Sequence, residues 1–268
     1  MSALMDRRNK TGAGSAHTAT EYTYFGDQRI EAGVKRQRVG EVFTSVAERY
    51  DLMNDLMSGG LHRLWKDALV AWLAPWAGAR PYLHLDLAGG TGDIAFRVQD
   101  AAGPSARSLV VDINPAMLRR GRARPQARRL GARIAFIAGD AERLPLPDRS
   151  LDAVTIAFGI RNVTRIDQAL GEIHRVLRHG GRFMCLEFSR VSVPVLDELY
   201  EAYSDRVIPL LGAAVTGNAA AYRYLVESIR RFPAQAEFAR MITGQGFQRV
   251  TWRDLTGGIA AMHSGWRL

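Results

Sequence analysis

A single cysteine in 268 residues removes two classes of protein at once. No disulfide framework can form, and no thiolate cluster can hold a structural metal. Cys185 itself lies in the apolar run Phe183-Met184-Cys185-Leu186, which reads as a buried strand, and a reducing cytoplasm is the expected compartment. Long apolar runs are missing as well. Nothing approaches the roughly 20 consecutive apolar residues of a membrane-spanning helix, and the first residues lack the apolar centre of a secretory signal. The six histidines are scattered, with no His/Asp/Glu grouping at ligand spacing, so no metal is expected. Internal repeats are not visible either.

Acidic residues are scarce relative to basic ones, 27 Asp and Glu against 36 Lys and Arg, for a formal charge of +9. Such an excess suits nucleic acid, an anionic membrane surface, or simply water. Much of it is arginine in helical segments, Arg119-Arg120-Gly121-Arg122-Ala123-Arg124 and Arg128-Arg129, and the ordinary role of such runs is a solvated helix face. Membrane attraction ranks next. Nucleic acid is not an expected partner, because no recognition motif or interleaved aromatic stripe accompanies the charge.

What is present is 47% apolar content, enough for one sizeable core. Residues 1–21 are polar and aperiodic and read as a flexible tail; residues 22–268 read as a single domain. Within it, 22–80 carry helical periodicity broken at Asn54 and Ser58-Gly59-Gly60, the mark of a helical cap before the sheet. Strand and helix patterns then alternate: strands Tyr82–Leu87, Ser108–Asp112, Ile134–Ala138, Ala153–Phe158 and Arg182–Phe188, with helices from Asp93 and Pro115 and over Ile166–Leu177. This predicts an α/β fold, a doubly wound, mostly parallel seven-stranded sheet with ligands at the carboxyl ends of the strands. A helical insertion on the substrate side follows at about 190–235, with an apolar stripe from Leu196 to Ile208 that could line a cavity. The chain ends in two strands, Phe247–Leu255 and Ile259–Trp266, around Gly257-Gly258, an antiparallel hairpin closing the sheet edge.

The most informative local pattern is Asp86-Leu87-Ala88-Gly89-Gly90-Thr91-Gly92-Asp93, a strand end, a glycine turn and a helix start. Glycines let backbone amides approach a ligand, and the helix N-terminus offers partial positive charge. Asp86, Gly90, Thr91 and Gly92 are therefore candidate cofactor-binding residues. Twenty residues beyond Gly92, Asp112 ends the next strand and can accept both hydroxyls of a ribose. At the third strand end, Asp140 could meet an adenine amino group while Ala141 lets the ring lie close. The loop alone also satisfies the dinucleotide pattern G-x-G-x-x-A. The Asp86 strand end, the Gly139-Asp140-Ala141 turn, the loop Leu144-Pro145-Leu146-Pro147-Asp148 and the terminal hairpin together favour S-adenosylmethionine.

Two longer blocks resemble the signatures of the ubiquinone/menaquinone biosynthesis C-methyltransferases: Tyr50-Asp51-Leu52-Met53-Asn54 through Ser58, His62 and Trp65, and Arg175 through Ser189. Phe158-Gly159-Ile160-Arg161-Asn162-Val163 is similar to a third family block, and the resemblance runs from about Tyr24 to Leu268. It implies the Rossmann-like class I methyltransferase fold, donor contacts at Thr91, Asp112, Asp140 and Ala141, and methylation of a ring carbon on a polyprenylated benzoquinol or on demethylmenaquinol. Two positions depart from the pattern. Ala157 stands where the family has a serine, a loss of at most about 1 kcal/mol for one neutral hydrogen bond, and His179 stands where proline is usual.

Attack by a ring carbon requires a phenolate-like quinol. Arg161 can stabilise that charge and Asn162 can orient the same oxygen, although Arg161 equally suits a structural salt bridge. A general base should titrate near neutrality, which selects His62 and His263 first and Glu187 or Asp93 second; packed imidazoles are the commoner use of histidine. Tyr50, Asp51 and Asn54 would fix the cap, with Trp65 in the core. The expected partners are a polyprenylated quinol, the cytoplasmic membrane face as a peripheral contact through basic residues and Val193–Leu211, and other quinone-biosynthesis enzymes, with homo-oligomerisation left open.

Overall fold

The computed structural model describes residues 21–46, 54–55, 58–191 and 219–268. The tail 1–20, Tyr50 and Asp51 of the first signature, and the apolar stripe within 192–218 lie outside the described residues.

The segment read as wholly helical opens on a small antiparallel hairpin, β1 (Tyr22–Phe25) and β2 (Gln28–Glu31). Four residues per strand are too few for a period of two to stand out beside the helix that follows. Helix α1 (Ala32–Val46) and helix α2 (His62–Leu73) complete the cap. The Ser58 hydroxyl accepts the His62 backbone N–H at 3.1 Å, satisfying one free donor at the start of α2. Trp65, Leu69, Val70 and Leu73 then form the buried stripe of that helix.

The sheet elements follow in the expected alternation: β3 (Tyr82–Leu87), α3 (Asp93–Ala102), β4 (Ala106–Asp112), α4 (Pro115–Ala123), α5 (Pro125–Leu130), β5 (Ile134–Ala138), β6 (Leu151–Ala157), α6 (Ile166–Val176) and β7 (Leu177–Phe188). After the undescribed stretch come α7 (Ala219–Arg231), α8 (Gln235–Gly244), β8 (Gln248–Leu255) and β9 (Ala260–Arg267). The helix expected from Pro115 is two helices, because Pro125 has no N–H to continue the first and restarts a new one. Arg119, Arg120, Arg128 and Arg129 are exposed on this pair, as expected of a solvated face.

Strand order is β5-β4-β3-β6-β7-β9-β8. The first five strands are parallel, and β9 runs antiparallel to both β7 and β8. The chain winds outward from β3 to β5, then returns to place β6 on the other side of β3. The crevice above the ends of β3 and β6 is thus the topological switch point. Strands β3 and β6 are buried on both faces, consistent with helices on either side. One core joins α2, α3 and α7 to the sheet; the other joins α6 and α8. A third cluster around Phe96, Leu118 and Phe136 seats α4 and α5 at the β5 edge.

Candidate active site

At the switch point the backbone must turn away from two adjacent strand ends. Gly90 (φ +55°) and Gly92 (φ +82°) hold the left-handed conformation there, and a Cβ on Gly92 would come within 3.1 Å of the Phe136 ring. The loop borders a cavity whose wall includes Gly90, Asp112, Asp140, Ala141 and Asn162.

Asp112 stands at the end of β4 with one carboxylate oxygen accepting the Gly90 N–H at 2.9 Å and the other accepting the Asn114 N–H at 2.7 Å. Burial pushes its carboxyl up, and those backbone N–H groups counter the shift. Each oxygen keeps a further lone pair, so two ribose hydroxyls can still be accepted. Val39 and Phe43 of α1, with Val111, Ile113 and Met117, give the same cavity apolar walls that suit an adenine ring. The residues present therefore fit S-adenosylmethionine: Asp112 for the ribose, Gly90 for close backbone approach, and the Asp140–Ala141 turn for the base.

Other candidates from the loop lie beneath this surface. Asp86 is 1% exposed; its oxygens accept the Ala95 N–H at 3.1 Å and the Thr155 hydroxyl at 3.2 Å, and burial raises its carboxyl to about 7. It holds the first turn of α3 against β6. Thr91 accepts from Arg124 at 3.2 Å, and Arg124 in turn lies over the Phe96 ring at 5.2 Å. Asp86, Thr91 and Gly92 thus shape the cradle from below, while Gly90, Asp112, Asp140 and Ala141 line it.

The cap closes over the opening. Arg36 of α1 pairs with Asp140 at 3.1 Å, and Lys35 donates to the Val163 carbonyl at 3.1 Å. Asn114 donates to Gly40 and Thr44 of the same helix at 3.3 and 3.0 Å. Glu142, buried, accepts the N–H groups of Thr164 and Arg165, both at 3.1 Å, tying the loop after β5 to the start of α6. Sequence reasoning gave Lys35 and Arg36 no role and took Glu142 only as part of the strand-end turn; single charges on a helix or in a turn carry no local signal of what they fasten.

On the β6 side, Gly159 is forced by proximity, since a Cβ there would lie 2.6 Å from the Ala88 Cβ. One turn of 3₁₀-helix, Ile160–Asn162, follows. Arg161 turns inward, 7% exposed, and forms a buried ion pair with Glu187. It also donates to the Phe158 carbonyl at 3.0 Å and lies over the Phe188 ring at 5.5 Å. Burial pushes Glu187 up and Arg161 opposes it. The salt-bridge reading of Arg161 and the base reading of Glu187 thus meet in one pair. Asn162 faces the cavity, its side-chain oxygen accepting the Tyr224 hydroxyl of α7 at 2.8 Å.

The two histidines are not brought together. His62 is buried at the start of α2, with Nε2 bonded to Asp55 at 2.9 Å and Nδ1 without a partner among the described residues. Burial and the neighbouring Lys66 hold it below the usual imidazole range. His263 sits in β9 against α8, with Nε2 on the Gln235 carbonyl at 3.0 Å and its ring edge-on to Phe238, and it is not among the residues lining the cavity. Asp93 is engaged by Lys66 at 2.9 Å; burial pushes its carboxyl up, and Lys66 with Arg97 and Arg124 together bring it below the usual range. Trp65 is in the core, as expected, with its indole N–H on the Thr256 hydroxyl at 3.0 Å.

Residues 31–267 match the model of the ubiE/COQ5 methyltransferase family. The chain belongs to that family. The ubiquinone/menaquinone biosynthesis C-methyltransferase UbiE of Methylobacterium nodulans is 61% identical over 246 residues, 92% of this chain and 97% of that protein. The protein of the same name from a Bradyrhizobium strain is 57% identical, again over 92% of this chain and 97% of its own length. Among solved structures, a SAM-dependent methyltransferase of Thermotoga maritima aligns with a TM-score of 0.60 at 20% identity, covering 85% of this chain and 99% of that one. The [4+2]-cyclase SpnF aligns as well, TM-score 0.61 at 17% identity, over 87% and 96%. That second likeness shows how little the fold alone says about chemistry. The ubiE/COQ5 membership decides it: the chain is an S-adenosylmethionine-dependent C-methyltransferase, and the dinucleotide alternative falls away.

Proposed function

We propose that the chain methylates a ring carbon of a polyprenylated quinol, the benzoquinol of the ubiquinone route, demethylmenaquinol of the menaquinone route, or both. The observation that carries this reading is Asn162, an amide lining the same cavity as Asp112, joined to a family identity that spans 92% of the chain.

The donor, when bound, supplies an electrophilic methyl carbon on a positively charged sulfur. The protein must make the acceptor ring electron-rich and keep water away. The Asn162 amide donates to the quinol oxygen, favouring its ionised form. Arg161 lies one residue away; paired with Glu187, it contributes a held dipole rather than a free cation. Neither His62 nor His263 lines the cavity, and in both burial holds the imidazole low with Nδ1 unpartnered among the described residues, so what favours His62 as the base is its place in the cap alone. Closure by α1 through Arg36 and Lys35 excludes water from the reacting carbon.

A polyprenyl tail partitions into the bilayer, so the same reading places the chain in the cytoplasm, peripherally on the membrane, alongside other enzymes of the route. The net charge of +9 and the exposed arginines of α4 and α5 support attraction to anionic lipid. No helix among the described residues is long and apolar enough to cross a membrane. Incubation with labelled methyl donor and each reduced quinol should put label in at least one lipid; label in neither sinks the proposal. Flotation with anionic liposomes should be strong at low salt and weak at high salt, and absence at both would remove the membrane part alone.

A further inference from the structure

A side-chain amide offers two opposite faces, an acceptor oxygen and a donor NH₂, and a half-turn about its last bond exchanges them. At Asn162 that choice decides whether the cavity meets a hydrogen-bond donor or a second lone pair. The hydroxyl of Tyr224 donates to Asn162 Oδ1 at 2.8 Å. Burial pushes the Tyr224 phenol far above its ordinary range, so the hydroxyl stays a proton donor at every working pH. With Oδ1 engaged by α7, the NH₂ is the polar group left to this cavity-lining residue.

Tyr224 is itself held from the far end of the chain. Phe25 of β1 stacks on its ring, centroids 4.1 Å apart and planes 13° from parallel. The hairpin is pinned to α7 by the Asp27 N–H on Glu227 at 3.1 Å and by Arg231 on Asp27 at 3.0 Å. Arg231 also lies over the Tyr24 ring at 4.0 Å. Gly26 between the strands has φ +56°, a conformation that favours glycine, and a Cβ there would fall 2.0 Å from the Glu227 carboxylate oxygen and push that side chain off the Asp27 N–H.

We propose that Tyr224 is a positioning residue for methyl transfer: it turns the Asn162 amide so that N–H rather than C=O meets the acceptor's oxygen, and the N-terminal hairpin holds it there. A reversed amide would set a carbonyl against a developing phenolate, where like charges repel. The inference rests on the quinol reading, and it adds a reason for the hairpin to be docked at all.

Tyr224→Phe removes only the hydroxyl and keeps the ring on Phe25. It should lower kcat by about 5- to 30-fold, roughly the worth of one hydrogen bond and its consequence, while KM for the methyl donor changes less than about twofold and thermal stability barely moves. Asn162→Ala should lower kcat at least as far, and in that background Tyr224→Phe should add nothing, since the two residues act as one unit. Gly26→Ala, which strains the hairpin turn and displaces the Glu227 carboxylate without touching either residue, should reproduce part of the kcat loss. Wild-type kcat in Tyr224→Phe, or losses that simply multiply in the double variant, would overturn the role of Tyr224 and leave the acceptor reading intact. A wild-type protein that methylates neither quinol would instead bring down the acceptor reading, and this inference with it.

Discussion

The two walls of the cavity are built in opposite ways. On the donor wall, backbone N–H groups close in sequence fix the two carboxylates, Asp112 by Asn114, two positions on, and by Gly90, twenty-two back, and Asp140 by Glu142, two on, while α1 adds longer links to Asp140 and Asn114. Most of these partners are backbone N–H groups at strand ends, fixed by the sheet itself. On the acceptor wall the links run through side chains and are long-range. Asn162 and Tyr224 are 62 positions apart, and the hairpin contact that steadies Tyr224 spans 200. The polar half of the donor wall therefore forms whenever the sheet forms, with α1 adding the apolar face of Val39 and Phe43, whereas the acceptor wall rests on α7 and the hairpin being docked. One wall is a property of topology and the other of assembly, a division that lets a common donor cradle serve different acceptors.

The acceptor wall should be the easier to break. Arg161→Ala leaves Glu187 buried with no counter-ion, and removal of one member of such a pair costs about 3–5 kcal/mol. Urea denaturation should show that loss. Replacing both members, Arg161→Met with Glu187→Leu, should recover most of the stability but not the turnover, because the charge disappears along with its desolvation cost. A single Arg161→Ala variant as stable as the double one would mean that water or the neighbouring segment relieves Glu187, and that the wall is less closed than its buried pair indicates.

This contrast also explains what could be read in advance. The strand Ile134–Ala138 is an apolar run and Tyr82–Leu87 a largely apolar one, so pattern alone marked them, and the loop from Asp86 to Asp93 carries its chemistry in consecutive residues. Asp112 and Asp140 fell on strand ends, where the α/β rule places ligand contacts. The hairpin β1–β2 was hidden by its brevity. Tyr224 was legible as one more apolar position on a helix, because periodicity gives the face of a residue and not the direction of its hydroxyl. Arg161 and Glu187 were each singled out, yet nothing local joins them: only the adjacency of β6 and β7 in the finished sheet sets one against the other.

Substitution on the donor wall should separate the two walls cleanly. Asp112→Ala removes the acceptor for the ribose and the anchor of the Gly90 N–H together. Loss of charged hydrogen bonds of this kind is worth about 2–3 kcal/mol, so S-adenosylmethionine should bind about 30- to 150-fold more weakly by calorimetry. Arg161→Met/Glu187→Leu, on the other wall, should leave that affinity within about twofold. Equal weakening in both proteins would show the walls to be coupled and the distinction empty.

The smallest effect concerns why the donor wall should be indifferent to pH although charged groups lie under it. Thr155 has one hydroxyl proton, given to Asp86, so His84 must donate to Thr155 from Nε2 at 2.8 Å and accept from Ser108 at Nδ1, 3.1 Å away. Gln99 donates to Ser108 at 3.0 Å, completing a one-way chain that ends on Asp86. Burial raises Asp86 from 3.8 to about 7 and lowers His84 from 6.5 to about 3. Between 3.8 and 6.5 the unfolded chain carries a proton on His84 and the folded chain carries one on Asp86, so the pair takes up no net proton on folding. Asp86→Asn leaves His84 alone, a depressed base, and stability should then fall relative to wild type as pH drops below 6.5, by about 1.4 kcal/mol per unit. His84→Gln leaves Asp86 alone, a raised acid, whose stability is full below 3.8 and is lost as pH rises toward 7, with the same slope and opposite sign. Urea midpoints between about pH 4.5 and about pH 6.5 measure both slopes against wild type. Opposed slopes would show the foundation of the donor wall to be balanced by two buried groups; variants running parallel to wild type would show that neither group is shifted, and that the wall owes its steadiness to the backbone alone.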